Sequence, residues 1–275
     1  MTLTMRWPNG LLHALTLSYD DGVDADIRLI EIMQKHGLKG TFNLNSNILL
    51  RQTDRNGAHG RLTVEEAKAL YLPAGMEIAV HGAEHPFWAR IPRNLCMADI
   101  MCDRVNLEKT FGVIVRGAAY PFGNYSDMTV DCLHDAGIAY CRTTAATRSF
   151  DVPKDWLRMP ATCHHNDPAL FELCEKFLDT PTRYPMVRLF YLWGHSYEFD
   201  NNDNWNVIET FCELMGHREN VYYATNIEIY DYVKAYESLH FSSEFKLVEN
   251  PSAKDVWFEL NGTTYKVEAG KTLAL

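Results

Sequence analysis

Strand-like and helix-like patterns alternate about seven times along the sequence, and this alternation constrains the fold more than any other feature. In the first unit, an apolar run ending at Asp20 precedes a helical pattern in which Ile27, Ile30 and Met33 recur every three residues. Such alternation is typical of βα units on a parallel sheet, and therefore of an α/β protein. Because the sequence has no glycine-rich dinucleotide-binding loop, we expect a closed or nearly closed barrel rather than an open doubly wound sheet.

The end of the chain departs from this alternation. Residues 256–275 place Asn261-Gly262 between two β-rich runs, which is the strongest short signal for a β-hairpin. We therefore predict an α/β barrel over residues 1–240 and a C-terminal β-hairpin appendage over residues 241–275 that packs on the barrel. A structural cap is the favoured role of this appendage. Contact with a substrate or with a second subunit, as in a homodimer, is the alternative.

The acidic balance of the chain excludes several classes of partner. With 26 basic against 36 acidic residues the net charge is −10, so the surface offers little to neutralise the phosphates of nucleic acids or of anionic membranes. No apolar run approaches the ~18 residues of a membrane span, and the N-terminus lacks the layout of a signal peptide. We therefore expect a cytoplasmic protein that binds neither nucleic acid nor membrane, with its seven scattered cysteines reduced.

Titratable side chains follow three of the predicted strands. They are Asp20-Asp21, His81 with His85, and His195. Because the carboxyl ends of parallel strands meet at one end of a barrel, we expect these groups to converge. One carboxylate and two imidazoles form a ligand set for Zn²⁺ or a similar divalent ion with positions left open, and the second carboxylate is then free to act as a base. The alternative for each motif taken alone is a solvated turn or an interior histidine.

Five motifs in this order resemble those of the polysaccharide deacetylases of the NodB-homology family. The stretches "SYDDG", "HGAEHP", "AYPFGNYS", "DVPKDW" and "LWGHS" are similar to the family's motifs, and the resemblance runs over roughly residues 13–230. Two positions depart from the usual pattern, because Gly82 replaces a hydroxyl residue in the second motif and Ala119 replaces an arginine in the third. The resemblance implies a deformed (β/α)7-type barrel and a metal-dependent carbohydrate deacetylase.

The resemblance also assigns roles to individual residues. It implies that Asp20 is the catalytic base and that His195 is the general acid. It also implies that one divalent metal is bound by Asp21, His81 and His85. Zn²⁺ is the expected ion, with Co²⁺, Ni²⁺ and Mn²⁺ as alternatives. The backbone N–H of Phe122 is expected to help hold the oxyanion. Asp155 is expected to orient His195 and to raise its pKa.

Two further sets of residues complete the expected site. Ala119 stands where the family has the arginine that steadies the base, so either Arg116 or Arg158 is expected to take this part, and both alternatives stay open. Five side chains are expected to line the substrate pocket, namely Tyr120, Trp156, Arg158, His165 and Trp193.

The predicted activity is removal of the acetyl group from an N-acetylated sugar or oligosaccharide, with O-acetyl groups as an alternative target. Two other functions stay open. One is hydrolysis of a non-sugar amide on the same scaffold, and the other is carbohydrate binding by a barrel without activity. The sequence contains a base, a ligand set and an acid, and this favours the enzyme.

Overall fold

A parallel sheet of nine strands forms the centre of the protein in a computed structural model that describes residues 2–52, 60–179 and 186–275. Helices surround this sheet, and two small antiparallel sheets lie beside it. The strands are, in chain order, β1 (Leu3–Arg6), β2 (His13–Asp20), β3 (Gly40–Leu44), β4 (Glu77–Val80), β5 (Gly117–Ala119), β6 (Tyr140–Ala146), β7 (Met159–Ala161), β8 (Cys163–His164), β9 (Arg188–Gly194), β10 (Val221–Tyr223), β11 (His240–Phe241), β12 (Leu247–Glu249), β13 (Val256–Leu260), β14 (Thr263–Val267) and β15 (Thr272–Ala274). The helices are α1 (Ala25–Lys35), α2 (Ser46–Arg51), α3 (Val64–Leu70), α4 (Arg93–Phe111), α5 (Asp127–Asp135), α6 (Leu170–Leu178), α7 (Tyr197–Asn201), α8 (Trp205–Met215) and α9 (Asn226–Glu237).

The central sheet closes on itself. Its order is β7-β6-β5-β4-β3-β2-β9-β8, with β10 paired to the start of β2, and its pairings are parallel. The two end strands, β7 and β8, are separated only by Thr162. The N–H of Thr162 donates to the carbonyl of Tyr191 on β9 at 2.9 Å, and its Oγ1 accepts from the N–H of Tyr191 at 3.0 Å. With β7 and β8 counted as one interrupted strand the ring has seven positions, so the predicted deformed (β/α)7-type barrel is confirmed.

Alternate side chains of β2 face the two sides of the barrel wall, as the pleat of a strand requires. Leu15 and Leu17 pack in the apolar core formed with the surrounding helices. Ser18 faces the interior, where its Oγ accepts a hydrogen bond from Asn43 Nδ2 of β3 at 2.8 Å. The same period of two brings Asp20 into the interior at the carboxyl end of the strand.

The amino end of α9 closes the opposite end of the barrel, near the first residue of β4. The N–H of Ile227 donates to Glu77 Oε2 at 2.9 Å, and the hydroxyl of Tyr140 donates to Glu77 Oε1 at 2.7 Å. Thr41 Oγ1 donates to Glu77 Oε2 at 2.8 Å. Burial raises the pKa of Glu77 from 4.5 to about 7 and outweighs these hydrogen bonds, which lower it. The barrel interior therefore contains a carboxyl group that titrates near neutral pH.

The C-terminal residues form the predicted hairpin and also pair with other strands. Asn261 and Gly262 join β13 to β14 with φ angles of 50° and 86°, which is the left-handed backbone that such a two-residue turn needs. On the other edge of β13 lies β1, so the chain's first strand completes this three-stranded sheet. A second small sheet has the order β11-β12-β15. The division of the chain at residue 240 stays a prediction.

The seven cysteines all have free thiols in the structure. Six of them are buried, and Cys102 on α4 is exposed. Among the described residues, no helix has both the length and the apolar character that crossing a bilayer requires.

Candidate metal centre and active site

The two adjacent aspartates point to different places because the backbone turns sharply between them. Asp20 is the last residue of β2 and is buried. Asp21 has a φ of 86° and Gly22 a φ of 65°, so the chain leaves the strand through two left-handed residues. His81 follows β4 directly, and His85 lies four residues on in the loop, with a φ of 53°. The segments that follow β2 and β4 thus bring their polar groups to the carboxyl end of the barrel.

Asp21, His81 and His85 form a set that fits a divalent metal. Their candidate ligand atoms all lie within 4.8 Å of one another. His85 Nε2 is 3.2 Å from His81 Nε2 and 3.8 Å from Asp21 Oδ1. Asp21 Oδ1 is buried and, among the described residues, has no hydrogen-bond partner. The Arg61 guanidinium forms an ion pair with this oxygen, with Nη1 at 3.4 Å. A carboxylate oxygen that faces two imidazole nitrogens is a donor set that Zn²⁺ and similar ions bind.

The protonation states of the two histidines suit this role. His81 Nδ1 lies 2.9 Å from the carbonyl of Ala119, so Nδ1 carries the proton and the lone pair of Nε2 faces the set. Burial, and then the neighbouring His81, lower the pKa of His85 from 6.5 to about 4. The His85 ring is therefore neutral at neutral pH, as a metal ligand must be.

Asp20 lies beside this set but has hydrogen-bond partners of its own. Its Oδ2 accepts from Arg142 Nη2 on β6, and its Oδ1 accepts from Asn43 Nδ2 at 2.8 Å. Burial alone would raise the pKa of Asp20, but the Arg142 guanidinium holds it well below its usual range. Asp20 Oδ2 also lies 3.7 Å from His81 Nε2 and 3.8 Å from His195 Nε2. The Asp20 carboxylate is thus ionised and lies between the metal set and His195.

The arginine beside Asp20 is Arg142, and both arginines expected from the sequence are wrong. Arg116 pairs with Asp231 at 2.7 Å. Arg158 pairs with Asp127 at 2.6 Å and with Asp155 at 2.8 Å. The missed signal is the period of two in the strand "IAYCRTT", because Tyr140 and Arg142 share a face.

His195 is oriented by Glu198 rather than by Asp155. His195 Nδ1 lies 2.9 Å from Glu198 Oε1, one helical turn further along the chain. Burial would lower the pKa of His195, but the Glu198 hydrogen bond and the charges of Asp20 and Asp21 raise it above 6.5. Asp155, predicted for this role, instead pairs with Arg158 and is half exposed. A carboxylate three residues after the histidine was the signal available in the sequence.

The other oxygen of Glu198 faces two more histidines. His165 Nε2 lies 2.8 Å and His164 Nε2 3.3 Å from Glu198 Oε2, which also accepts from Asn166 Nδ2 at 3.0 Å. His164, His195 and Glu198 are close enough to hold an ion. However, His164 Nδ1 accepts a hydrogen bond from the N–H of Asn166 at 3.1 Å, so its Nε2 carries the proton and is not free to ligate. We therefore interpret this cluster as support for Glu198.

Of the five residues expected to line the substrate pocket, Trp193 lies beside His195. Its ring covers the Arg142 guanidinium at 4.3 Å and is 5.9 Å from the His195 ring. The side chains of the other four make contacts of their own, and their part in binding a substrate stays a prediction. Tyr120 is buried and donates to the carbonyl of Leu157, and Trp156 is buried against Tyr230. His165 is buried beneath Glu198. Arg158 lines a separate cavity of about 740 Å³, to whose wall the candidate base, acid and metal ligands (Asp20, His195, Asp21, His81 and His85) do not contribute.

Phe122 lies beside the metal set, in the turn that follows β5. Its φ is 56°, and its exposed ring stacks on Phe87 at 3.9 Å and meets the His85 ring edge-on at 4.3 Å. This position is compatible with a backbone N–H directed at a bound substrate. The oxyanion role of Phe122 stays a prediction.

Comparison with known proteins agrees with this geometry. The family model described as polysaccharide deacetylase matches residues 12–141, the stretch from β2 into β6 that contains Asp20, Asp21, His81 and His85. No curated protein sequence matches the chain.

Solved structures share the fold. A candidate polysaccharide deacetylase from Mycobacterium smegmatis superposes with a TM-score of 0.63 at 17% identity, covering 85% of this chain and 94% of that chain. A wild-type CE4 family pseudoenzyme from Bacillus anthracis gives a TM-score of 0.51 at 16% identity, covering 82% of this chain and 68% of that one. For the Streptococcus pyogenes deacetylase PplD in complex with acetate the TM-score is 0.43 at 21% identity, and the match covers 47% of this chain and 55% of that chain, just over half its length.

Proposed function

We propose that the protein is a metal-dependent deacetylase acting on N-acetylated, or alternatively O-acetylated, sugars or oligosaccharides, because residues 12–141 match the family model described as polysaccharide deacetylase. The observation that carries the proposal is that the two adjacent aspartates have different neighbours at the carboxyl end of the barrel. Asp21, His81 and His85 face one another, while the Asp20 carboxylate is ion-paired with Arg142. A cytoplasmic location and a homodimer stay predictions from the sequence.

Asp21, His81 and His85 would hold the ion, for which Zn²⁺ is the first candidate. When bound, such an ion supplies Lewis-acid polarisation of the acetyl carbonyl and of the attacking water. Asp20 takes the proton of that water. Arg142 keeps the Asp20 carboxylate ionised, and a weak base would suffice because a bound ion would lower the pKa of the water.

His195 completes the reaction on the other side of Asp20. Its Nδ1–H is fixed by Glu198, so the proton on Nε2 is directed towards the centre of the site. His195 protonates the departing nitrogen, which is a poor leaving group until it gains a proton. The backbone N–H of Phe122 is proposed to stabilise the negative charge that develops on the carbonyl oxygen.

The test separates the two aspartates. Asp21→Asn should lose metal and acetate release together, because a ligand is gone. Asp20→Asn should keep the metal and lose most turnover, because only the base is gone. Metal content by mass spectrometry and acetate release from a panel of acetylated sugars and non-sugar amides, with and without chelator, measure both effects. Asp127→Asn, at an exposed position, is the matched control.

Three results would contradict the proposal. Metal retained by Asp21→Asn but lost by Asp20→Asn would reverse the two roles. Acetate release from non-sugar amides alone would favour the amidase, and stoichiometric metal binding without any release would favour a silent barrel.

A further inference from the structure

The loop that carries His81 and His85 is attached to helix α4 by two carboxylates. Asp99 and Asp103 lie four residues apart on α4, so they share one face of the helix. Asp103 is fully buried. Its Oδ2 accepts from the N–H of His81 at 2.9 Å, and its Oδ1 accepts from the N–H of Ser46, the first residue of α2, at 2.7 Å. One side chain therefore ties the backbone of a metal ligand to two elements.

Asp99 holds the middle and the far end of the same loop. Its Oδ1 accepts from the N–H of Glu84 at 3.2 Å, and its Oδ2 accepts from the indole N–H of Trp88 at 2.8 Å. Trp88 is completely buried, so this second attachment is rigid. His85 lies between these two attachment points, and its position follows from them.

Gly82 explains why the carboxylate of Asp99 can approach so closely. The φ of Gly82 is 78°, and a Cβ there would lie 3.0 Å from Asp99 Oδ2 and 3.0 Å from Pro86 Cδ. A side chain at this position would therefore displace Asp99 or the loop. Gly82 is also the position at which the sequence lacks the hydroxyl residue common in similar deacetylases, so the loop has no side chain of its own there.

Placing these two carboxylates away from water lowers the stability of the fold. Among the described residues neither has a cationic partner, and their hydrogen bonds come from neutral groups of the loop, of Ser46 on α2 and of Trp88. A buried carboxyl without a counter-ion costs stability that an apolar residue would not. The hydrogen bonds of Asp99 and Asp103 fix the geometry of the loop.

We propose that Asp99 and Asp103 are positioning residues that set the placement of the His81 and His85 imidazoles for the metal ion. The inference rests on the proposed function, because it assumes that these histidines bind the ion. It makes α4, which contributes no ligand, the support of the metal centre.

The experiment uses the full chain and Co²⁺ as the probe, because the visible absorption of Co²⁺ reports its ligand geometry. Asp103→Ala and Asp99→Ala should each weaken Co²⁺ binding about 10–100-fold, the usual cost of losing a group that orients a ligand, and should change the Co²⁺ spectrum. Asp99→Asn and Asp103→Asn keep one acceptor oxygen and should fall between these variants and the wild type. Glu108→Gln, which alters an acid on α4 bonded to Arg104 and Val115, should bind Co²⁺ as the wild type does.

The outcomes separate this inference from the proposed function. If His81→Ala/His85→Ala binds Co²⁺ with wild-type affinity, the metal site is wrong and the inference falls with it. If that double variant loses the ion while folded Asp99→Ala and Asp103→Ala keep the wild-type affinity and spectrum, the inference alone is wrong. Circular dichroism checks folding. Should the fully buried Asp103 prove indispensable for folding, the half-buried Asp99 decides the question with its Ala and Asn variants.

Discussion

At the scale of single residues, Asp20 and Asp21 show how neighbours in sequence acquire different chemistry. Asp20 retains strand geometry and is neutralised by Arg142 inside the barrel. Asp21 adopts a φ of 86°, which costs a non-glycine residue roughly 1 kcal/mol or more. The turn directs its carboxylate towards His85 instead of into the interior. Two adjacent carboxylates are tolerated because each lies beside a different cation, Arg142 for Asp20 and Arg61 for Asp21.

Glu198 should control the pH dependence of the reaction. The hydrogen bond from His195 to Glu198 raises the pKa of His195, so the acid stays protonated to higher pH and activity is lost as pH rises through that pKa. In Glu198→Gln the negative charge is gone, so the alkaline limb of kcat should move to lower pH. At neutral pH, the loss should be smaller than the roughly 10²–10⁴-fold expected for His195→Ala.

The measurement is a pH profile of acetate release by metal-loaded protein. Glu172→Gln, an exposed acid on α6 that pairs with Lys176, serves as the control and should leave the profile unchanged. An alkaline limb that stays in place in Glu198→Gln would mean that the group titrating there is not His195.

At the scale of secondary structure, α9 joins the outer layer of the protein to the barrel interior. The Oγ1 of Thr225 accepts from the N–H of Glu228, and Glu228 Oε2 accepts from the N–H of Thr225 at 2.9 Å, which is a capping box. Lys39 pairs with Glu228 at 2.8 Å. The cap holds the first turn of α9, whose Ile227 N–H donates to Glu77 inside the barrel.

Removing this cap should destabilise the fold without affecting the metal centre. Thr225→Ala should lower the free energy of unfolding by about 1 kcal/mol, whereas Thr225→Ser keeps the hydroxyl and most of the stability. Urea unfolding measures both variants. Co²⁺ affinity should remain at the wild-type value, because α9 enters the barrel at the end opposite Asp20. Equal losses in the two variants would show that packing of the methyl group, and not the cap, is responsible.

At the scale of the whole molecule, Glu77 should make the stability of the barrel depend on pH. Its folded-state pKa is raised from 4.5 to about 7, so the folded protein binds this proton more tightly than the unfolded chain does. Stability contributed by the protonated form is present below pH 4.5 and is lost as pH rises towards 7. Glu77→Gln cannot titrate, so its stability relative to the wild type should increase between pH 5 and pH 8.

Denaturant unfolding of both proteins across this range tests the expectation. Glu244→Gln, an exposed acid beside Lys246, is the control and should run parallel to the wild type. Parallel curves for Glu77→Gln as well would show that Glu77 does not titrate in this range.

Local patterns in the sequence determined the parts of the protein that depend on near neighbours. Alternation of strands and helices predicted the barrel, and Asn261-Gly262 predicted the hairpin. The convergence of Asp21, His81 and His85 was also predictable, since parallel strands direct their carboxyl ends to one place. Each of these features follows from residues a few positions apart or from a general rule of parallel sheets.

Only the tertiary structure decided which charged groups meet. Asp20 and Arg142 are 122 positions apart, and the period of two in β6 shows which face Arg142 shares with Tyr140 but not that this face lies beside Asp20. The choice depends on the inward face of β6 lying across the closed barrel from β2. Asp99 and Asp103 are a second example. In the sequence of α4 they resemble solvated acids, and only the structure shows that the loop of His81 packs on them. Ion pairing is decided by distance in space, and the sequence specifies that distance only through the packing of the whole barrel.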